Sequence, residues 1–181
     1  FLWSSECDFT MNLDEIVQDF DGNPDVQVTL SSPNGGGMQS TVGMLARILF
    51  QSGYHTSTQG IFPSNITDVR EAYDNYFDIR GNRSKFKGAR EKSQLVVALY
   101  QKPIPDLIDK LTEGGVFVYD SKKIELTEKQ QQLLDSKNAT IYKLDLSEIE
   151  KLTPEERKAN LNTKHKRHSI VLGFILSQLG N

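Results

Sequence analysis

Cysteine is almost absent from this sequence of 181 residues, and so are long apolar runs. The single cysteine, Cys7, excludes an internal disulfide, a cysteine-ligated iron–sulfur cluster and a cysteine-rich zinc site, and it makes the cytoplasm the expected compartment. A membrane-spanning helix needs about 20 apolar residues in succession, so we expect none. Residues 1–10 lack the basic-then-apolar layout of a signal peptide, and a chain that begins at Phe1 is expected to be processed or trimmed.

Charge of one sign is not in excess either. Lysine and arginine number 21 against 24 aspartates and glutamates, which gives a net charge of −3. This balance gives no indication of a nucleic acid or membrane partner. With 37% hydrophobic and 25% charged residues, the chain has the length and composition of one compact globular domain. Composition thus excludes several classes of protein without identifying a function.

What the sequence does contain is an alternation of short strands with helices, which is typical of an α/β protein. We predict a three-layer sandwich, a mainly parallel central sheet flanked by helices, in a single domain of residues 26–181. Residues 1–25 are an N-terminal extension with a short amphipathic helix at 12–20, where Leu13, Ile16, Val17 and Phe20 repeat at helical spacing. The predicted strands span residues 26–30, 54–58, 76–80, 95–99, 116–119 and 139–144.

Local sequence patterns predict which faces of these strands are buried and where the helices begin and end. Residues 26–30 alternate apolar and polar side chains, as a strand with one buried face does, whereas residues 95–99 are apolar and predict a strand covered on both faces. We expect residues 59–75 to form an irregular connection. The predicted helices cover residues 38–50, a segment from Pro103 that Gly114 and Gly115 end, residues 127–136 with Thr127 at the start, one or two short turns in 147–160, and a buried terminal helix at 168–179.

A glycine-rich turn, residues 31–37, joins the first strand to the first helix. Gly35, Gly36 and Gly37 let backbone N–H groups approach an anion, and the following helix adds the positive end of its dipole. The turn lacks the Gly-Lys-Ser/Thr of a Walker loop and the spacing Gly-x-Gly-x-x-Gly. It is therefore either a phosphate cradle or a tight turn that needs glycine for positive φ angles.

Three further segments carry polar or charged groups. Pro63, Ser64 and Asn65 follow the second strand at the sheet edge where α/β proteins bind ligands, with an ordered surface loop as the alternative. Residues 80–92 carry six lysines and arginines, which suit phosphates or an acidic partner, with a solvated mobile loop as the alternative. Residues 164–168 predict a basic helix start rather than a metal site, because the two histidines there lack a nearby carboxylate. No catalytic set of residues can be assembled.

Five motifs occur in a fixed order along the chain. The glycine turn leads into a helix, and Phe-Pro-Ser-Asn-Ile (62–66), Tyr-Phe-Asp-Ile-Arg (76–80) and Leu-Val-Val-Ala-Leu (95–99) follow. In residues 111–121 a Gly-Gly pair precedes a strand that ends in Tyr-Asp-Ser, and a closing helix contains residues 169–173. In this order the motifs resemble the gamma subunit or gamma domain of the 2-oxoacid:ferredoxin oxidoreductases, over residues 26–180. The likeness is strongest to the N-terminal domain of alpha subunits of the 2-oxoglutarate or 2-oxoisovalerate type.

The resemblance implies part of an enzyme that decarboxylates a 2-oxoacid on thiamine diphosphate, passes electrons through iron–sulfur clusters to ferredoxin and transfers the acyl group to coenzyme A. In that family the thiamine diphosphate and the clusters belong to partner subunits or domains, so this chain alone is expected to hold neither. Its expected role is scaffolding, with a contribution to the coenzyme A or substrate region. The candidate cofactor-binding residues are Gly35, Gly36, Gly37, Pro63, Ser64 and Asn65. Its expected partners are the other subunits or domains and, indirectly, ferredoxin.

The sequence departs from the family pattern beside both candidate loops. Gly37 and Met38 stand where the family usually has Gln-Gly, and residues 67–69 are Thr-Asp-Val where Arg-Gly-Gly is common. Loss of the arginine removes a fixed cation, and loss of the glycines hinders close backbone approach. We therefore expect a divergent member, and a non-catalytic ligand-binding or protein-interaction module that reuses the fold stays open as the alternative.

Overall fold

The computed structural model describes residues 25–32, 38–61, 76–82, 88–149, 151, 153–155 and 163–178. Its strands are β1 (Asp25–Ser31), β2 (His55–Ile61), β3 (Tyr76–Asn82), β4 (Ser93–Ala98), β5 (Leu111–Asp120) and β6 (Thr140–Leu144). Its helices are α1 (Met38–Gln51), α2 (Ile104–Lys110), α3 (Glu128–Ser136), α4 (Leu146–Ile149) and α5 (Thr163–Gln178). The helix predicted at residues 12–20 lies outside the described residues.

The strands form one sheet in the order β2-β3-β1-β4-β5-β6. β1, β4, β5 and β6 are parallel neighbours, whereas β3 is antiparallel to both β1 and β2. Five of the six described strands therefore point the same way. This arrangement confirms the predicted mainly parallel sheet.

Helices cover both faces of the sheet, which confirms the three-layer sandwich. On one face α1 and α5 pack over β1, β3 and β4, where Val28, Ile79 and Leu95 are fully buried. On the other face α2 and α3 pack over β4 and β5, where Val96 and Phe117 are fully buried. Burial of each such side chain stabilises the fold by about 1.5–3 kcal/mol. Because neighbouring residues of β4 belong to opposite cores, this strand is covered on both faces, as its sequence predicts.

β1 differs from its prediction, because both of its faces are buried. Gln27 and Thr29 are polar and yet have no exposed surface. The side-chain oxygen of Gln94 accepts a hydrogen bond from the Gln27 N–H at 2.7 Å, and the Thr29 hydroxyl donates to Asp78 at 2.6 Å. A buried polar group is tolerated when it is hydrogen-bonded, so the alternation in this strand does not mark a solvent-exposed face.

Gly114 and Gly115 lie inside β5, so the prediction that they end a helix is wrong. The helix α2 stops at Lys110, and the next residue already starts β5. Gly114 has a φ of +68°, and a Cβ on Gly115 would lie 2.8 Å from Cδ1 of Leu111 and 3.0 Å from the carbonyl oxygen of Gln94. The pairing register between β4 and β5 shifts at this point. The glycine pair permits this irregularity. Residues with a side chain disfavour the positive φ of Gly114, and the space beside Gly115 is too small for a Cβ.

The observed bounds of β2 and α3 can be compared with the predicted ones. β2 continues to Ile61, three residues into the segment predicted as an irregular connection. α3 begins where the sequence predicts, because the Thr127 hydroxyl accepts from the Gln130 N–H at 3.3 Å and the Gln130 side-chain oxygen accepts from the Thr127 N–H at 2.9 Å. This reciprocal pair is a capping box, which satisfies two backbone donors at the helix start.

The terminal helix α5 begins earlier than predicted and is buried on one side only. It starts at Thr163, so the basic residues that precede the apolar run form its first turns. Phe174 and Ile175 are buried in the core, whereas Ser169 and Gly173 are exposed. The predicted burial of this helix therefore holds for the side that carries Phe174 and Ile175 and not for the side of Ser169 and Gly173.

Candidate functional site

The carboxyl ends of β1, β2, β4, β5 and β6 lie along one edge of the sheet, called here the carboxyl edge. Ser31 at the end of β1 and Ile61 at the end of β2 are both register partners of Tyr76 in β3. The two strand ends are therefore level and about 10 Å apart, two strand spacings. The predicted site residues follow these two ends and lie outside the described residues: Gly35, Gly36, Gly37, Pro63, Ser64 and Asn65.

The start of α1 borders the glycine turn at the same edge. This helix has 14 residues and no acidic residue in its first turn. A helix start presents backbone N–H groups without intrahelical partners and the positive end of the helix dipole, both of which favour an anion. Within the described part of the chain, the Thr41 hydroxyl is buried near this start and has no hydrogen-bond partner. The surroundings of the turn thus suit a negatively charged ligand.

A buried carboxylate, Asp120, ends β5 at the carboxyl edge. Its Oδ2 lies 3.2 Å from Nη2 of Arg167 and 3.6 Å from Nζ of Lys123. The same Arg167 Nη2 donates to the carbonyl oxygen of Leu99 at 3.4 Å, just beyond β4. The basic start of α5 is therefore held against the ends of two strands. Sequence reasoning placed Asp120 in a motif and missed its role, because its partner lies 47 residues away.

An open depression of about 800 Å³ adjoins Asp120 and is lined by Gln101 and residues 121–127. Gln101 bridges its walls, because its amide group donates to the Glu125 carbonyl oxygen at 3.1 Å and accepts from the Glu125 N–H at 2.8 Å. Lys122 on its rim pairs with Asp145 at 3.4 Å. The Ser147 hydroxyl, the Ser147 N–H and Lys122 lower the pKa of Asp145, and partial desolvation opposes them. The depression's lysines thus have carboxylate partners already.

The opposite, amino edge of the sheet holds a second buried carboxylate. Arg80 binds Asp25 through two bonds, Nε to Oδ1 at 2.9 Å and Nη2 to Oδ2 at 2.6 Å, and Nη2 of Arg90 binds the same Oδ2. We call these three residues the amino-edge clamp. Two of the six cations in residues 80–92 are thereby committed, so this stretch is not simply a solvated loop. Arg83, Lys85 and Lys87 lie outside the described residues.

A chain of hydrogen bonds continues from the clamp across β1, β3 and β4. Ser93 accepts from the Gln27 side chain at 3.0 Å and shares a 2.7 Å hydrogen bond with the Thr29 hydroxyl. Asp78 accepts from Thr29 and from Nζ of Lys110, the latter at 2.9 Å. The side chains of Gln27, Thr29, Ser93 and Asp78 are all buried. They serve the fold, since the polar atoms named in this network find their hydrogen-bond partners within it.

The described residues contain neither a cluster of metal-ligating side chains nor a membrane-spanning helix. No group of three or more histidine, cysteine, aspartate or glutamate side chains within them lies close enough together to hold a metal ion. None of the helices described is both long and apolar enough to cross a membrane.

Comparison with known proteins gives one family and one fold. A family model for pyruvate ferredoxin/flavodoxin oxidoreductase matches residues 27–180. No curated protein matches the sequence. Among solved structures, the chain is similar to 2-oxoglutarate:ferredoxin oxidoreductase from Magnetococcus marinus with 2-oxoglutarate, coenzyme A and succinyl-CoA bound. That match has a TM-score of 0.59 and 17% identity, and it covers 78% of this chain but only 22% of the other.

Two other solved structures match over most of their own length. One is the gamma subunit of a keto/oxoacid ferredoxin oxidoreductase from Geobacter sulfurreducens, with a TM-score of 0.59, 13% identity and coverage of 86% of this chain and 78% of that one. The other is the pyruvate oxidoreductase subunit PORC from Thermotoga maritima, with a TM-score of 0.55, 14% identity and coverage of 84% and 75%. The low identities establish a shared fold, and the family model covers most of the sequence. The chain therefore belongs to the pyruvate ferredoxin/flavodoxin oxidoreductase family, as a divergent member.

Proposed function

We propose that this chain is the gamma subunit or gamma domain of a 2-oxoacid:ferredoxin oxidoreductase, which converts a 2-oxoacid to an acyl-coenzyme A and reduces ferredoxin. Thiamine diphosphate and the iron–sulfur clusters belong to partner subunits or domains in this proposal. The chain itself supplies a scaffold and part of the coenzyme A site. The cytoplasm stays the predicted compartment.

The observation that carries the proposal is the family match over residues 27–180. A gamma subunit from Geobacter sulfurreducens with the same fold supports the assignment of subunit type. The Magnetococcus marinus structure, which holds coenzyme A and succinyl-CoA, supports coenzyme A as the ligand. This chain spans about a fifth of that protein, so the complete reaction requires the partner domains.

The carboxyl edge is the proposed place of contact with coenzyme A. Its phosphates are anions, and the start of α1 with the glycine turn before it offers N–H donors and a positive helix dipole. Gly35, Gly36 and Gly37 let the backbone approach a phosphate, and Ser64 and Asn65 offer a hydroxyl and an amide as hydrogen-bond donors. The level ends of β1 and β2, about 10 Å apart, allow one extended ligand to reach both loops.

The subunit assignment is tested by purification of the chain from its own cell under native conditions. We expect it to co-purify with a protein or domain that carries thiamine diphosphate and iron–sulfur clusters, detected by mass spectrometry and by iron analysis. A chain that runs alone as a monomer, with no such partner, would contradict the assignment. In that case binding of coenzyme A by the isolated chain would favour a ligand-binding module.

The coenzyme A site is tested by calorimetric titration of coenzyme A into three chains. We expect Gly36→Val to weaken binding at least about tenfold, because a β-branched side chain blocks backbone approach to a phosphate. Gly173→Val is the control, since Gly173 lies on the exposed side of α5 where a Cβ meets no atom within 4 Å. Equal affinity in all three chains would place coenzyme A elsewhere.

A further inference from the structure

An apolar groove runs between α1 and the edge strand β2, on the face of the sheet that α1 covers. It consists of two adjoining pockets that share Ala46, with volumes of about 350 and 380 Å³. Phe50 and Thr56 line the first pocket, and Val42 and Phe77 line the second. None of the described elements fills this groove, because α5, the other long helix on this face, packs against Tyr142 of β6 at the opposite edge of the sheet.

Phe50 is the most exposed large apolar side chain in the described residues, at 67%. A lone exposed apolar residue needs no explanation, but this ring stands at the wall of an apolar groove rather than alone. Arg47 beside it is the charged residue of the lining. The groove thus offers an apolar floor, an aromatic wall and one cation, which suits an amphipathic helix with acidic flanks.

Residues 12–20 have the complementary pattern. Leu13, Ile16, Val17 and Phe20 occupy positions i, i+3, i+4 and i+7, the spacing by which a helix anchors itself in a groove. Three acids and no lysine or arginine occur in the same nine residues. On a helix, two of these acids, Asp14 and Asp19, flank the apolar stripe on either side.

The tether between this segment and the sheet is long enough. β1 begins at Asp25, which pairs with Asn82, and Asn82 pairs with His55 at the start of β2. The start of β2 is therefore about 10 Å from Asp25, two strand spacings away. Five residues from Phe20 to Asp25 span about 17 Å when extended. The end of the groove at Phe50 and Thr56 lies beside the start of β2 and is within this reach.

We infer that residues 12–20 of this chain form an amphipathic helix that docks in the groove between α1 and β2. The apolar stripe contacts Phe50 and the groove floor, and an acidic flank pairs with Arg47. The docked helix completes the helical layer on this face, where α1 alone leaves β2 uncovered.

Hydrogen exchange of the full chain, followed by mass spectrometry, tests the inference. We expect the amides of residues 13–20 to exchange at least about tenfold more slowly than unprotected amides in the natural chain. Phe50→Asp should remove this protection. Met44→Asp is the matched control on the same helix, because Met44 is 40% exposed and lines neither pocket, and it should keep the protection. Fast exchange in the natural chain, or protection that survives Phe50→Asp, would overturn the inference.

A spin label on Cys7 gives a second measurement, since this is the chain's single cysteine. The label should broaden the backbone amide signals of residues 46–58 more than those of α3 on the opposite face. A mixture of labelled chain without nitrogen-15 and unlabelled nitrogen-15 chain separates the possible occupants. Broadening in the labelled nitrogen-15 chain that is absent from the mixture supports the inference, whereas broadening of the unlabelled chain in the mixture would show that a second copy fills the groove instead.

Discussion

Two buried aspartates, Asp25 and Asp120, hold opposite edges of the same sheet, and each is only 1% exposed. Asp25 accepts two hydrogen bonds from one guanidinium, that of Arg80, and a third from Arg90. Asp120 accepts one hydrogen bond from the Lys122 N–H and one from Arg167, each at 3.2 Å, and lies 3.6 Å from a Lys123 side chain that is 45% exposed. The amino edge is thus closed by a bidentate clamp, whereas the carboxyl edge is held by longer, single contacts.

This difference between the contacts of Asp25 and Asp120 indicates which edge of the sheet can accommodate a ligand. A bidentate pair fixes the geometry of both partners and excludes competing anions. Single, longer contacts leave cations near the carboxyl edge that can adjust to a newcomer, and this is the edge at which α/β sheets bind ligands. Rigidity is thereby concentrated at the edge away from the proposed site.

The largest effect is expected from Asp25→Asn. The change leaves two mostly buried guanidinium groups without their carboxylate, so we expect the free energy of unfolding to fall by about 3 kcal/mol or more. Urea unfolding followed by circular dichroism measures the loss. Asp109→Asn, at an exposed position of α2, should change stability by less than about 0.5 kcal/mol. A similarly small change for Asp25→Asn would show that the amino-edge clamp does not stabilise the fold.

A smaller effect is expected from Asp120→Asn. Arg167 keeps its hydrogen bond to the Leu99 carbonyl oxygen, and Lys123 can be solvated, so the unfolding free energy should fall by about 1.5 kcal/mol. The same urea experiment measures it. If Asp120→Asn destabilised the chain as much as Asp25→Asn, the two carboxylates would contribute equally to stability, which would contradict the proposed difference between the two edges.

The smallest effect concerns Asp145, beyond the end of β6. The Ser147 hydroxyl is the main cause of its lowered pKa, so Ser147→Ala should raise that pKa towards the ordinary value of 3.8. A carboxyl group with a lowered folded-state pKa stabilises the fold above its unfolded pKa, and this contribution disappears as the pH falls through the folded pKa. The variant should therefore be less pH-sensitive below about pH 4. Carboxyl chemical shifts in an NMR titration measure the change, and an unchanged titration curve would contradict it.

The elements were predictable from the sequence because their signals are local. The apolar run at 95–99 and the cap at Thr127 each depend on a few adjacent residues, and the structure confirms both. The polar face of β1 was not predictable, because Asp25 and Thr29 depend on Arg90 and Asp78, which lie 65 and 49 residues away. The glycine pair was misassigned for a similar reason: its close neighbour Gln94 belongs to another strand. The two candidate loops lie outside the described residues, so their role stays a prediction.

The position of β1 between β3 and β4 also has a consequence for biosynthesis. A ribosome adds about 5–20 residues per second, so β1 is synthesised about 3–10 s before β3, which begins 51 residues after Asp25, and longer still before β4. During this interval the backbone of β1 has neither neighbouring strand to pair with. Pairing between distant segments is slow and leaves apolar surface open to association. A strand inside the finished sheet is therefore made before either of its hydrogen-bonding partners, and its edges stay open to association until they follow.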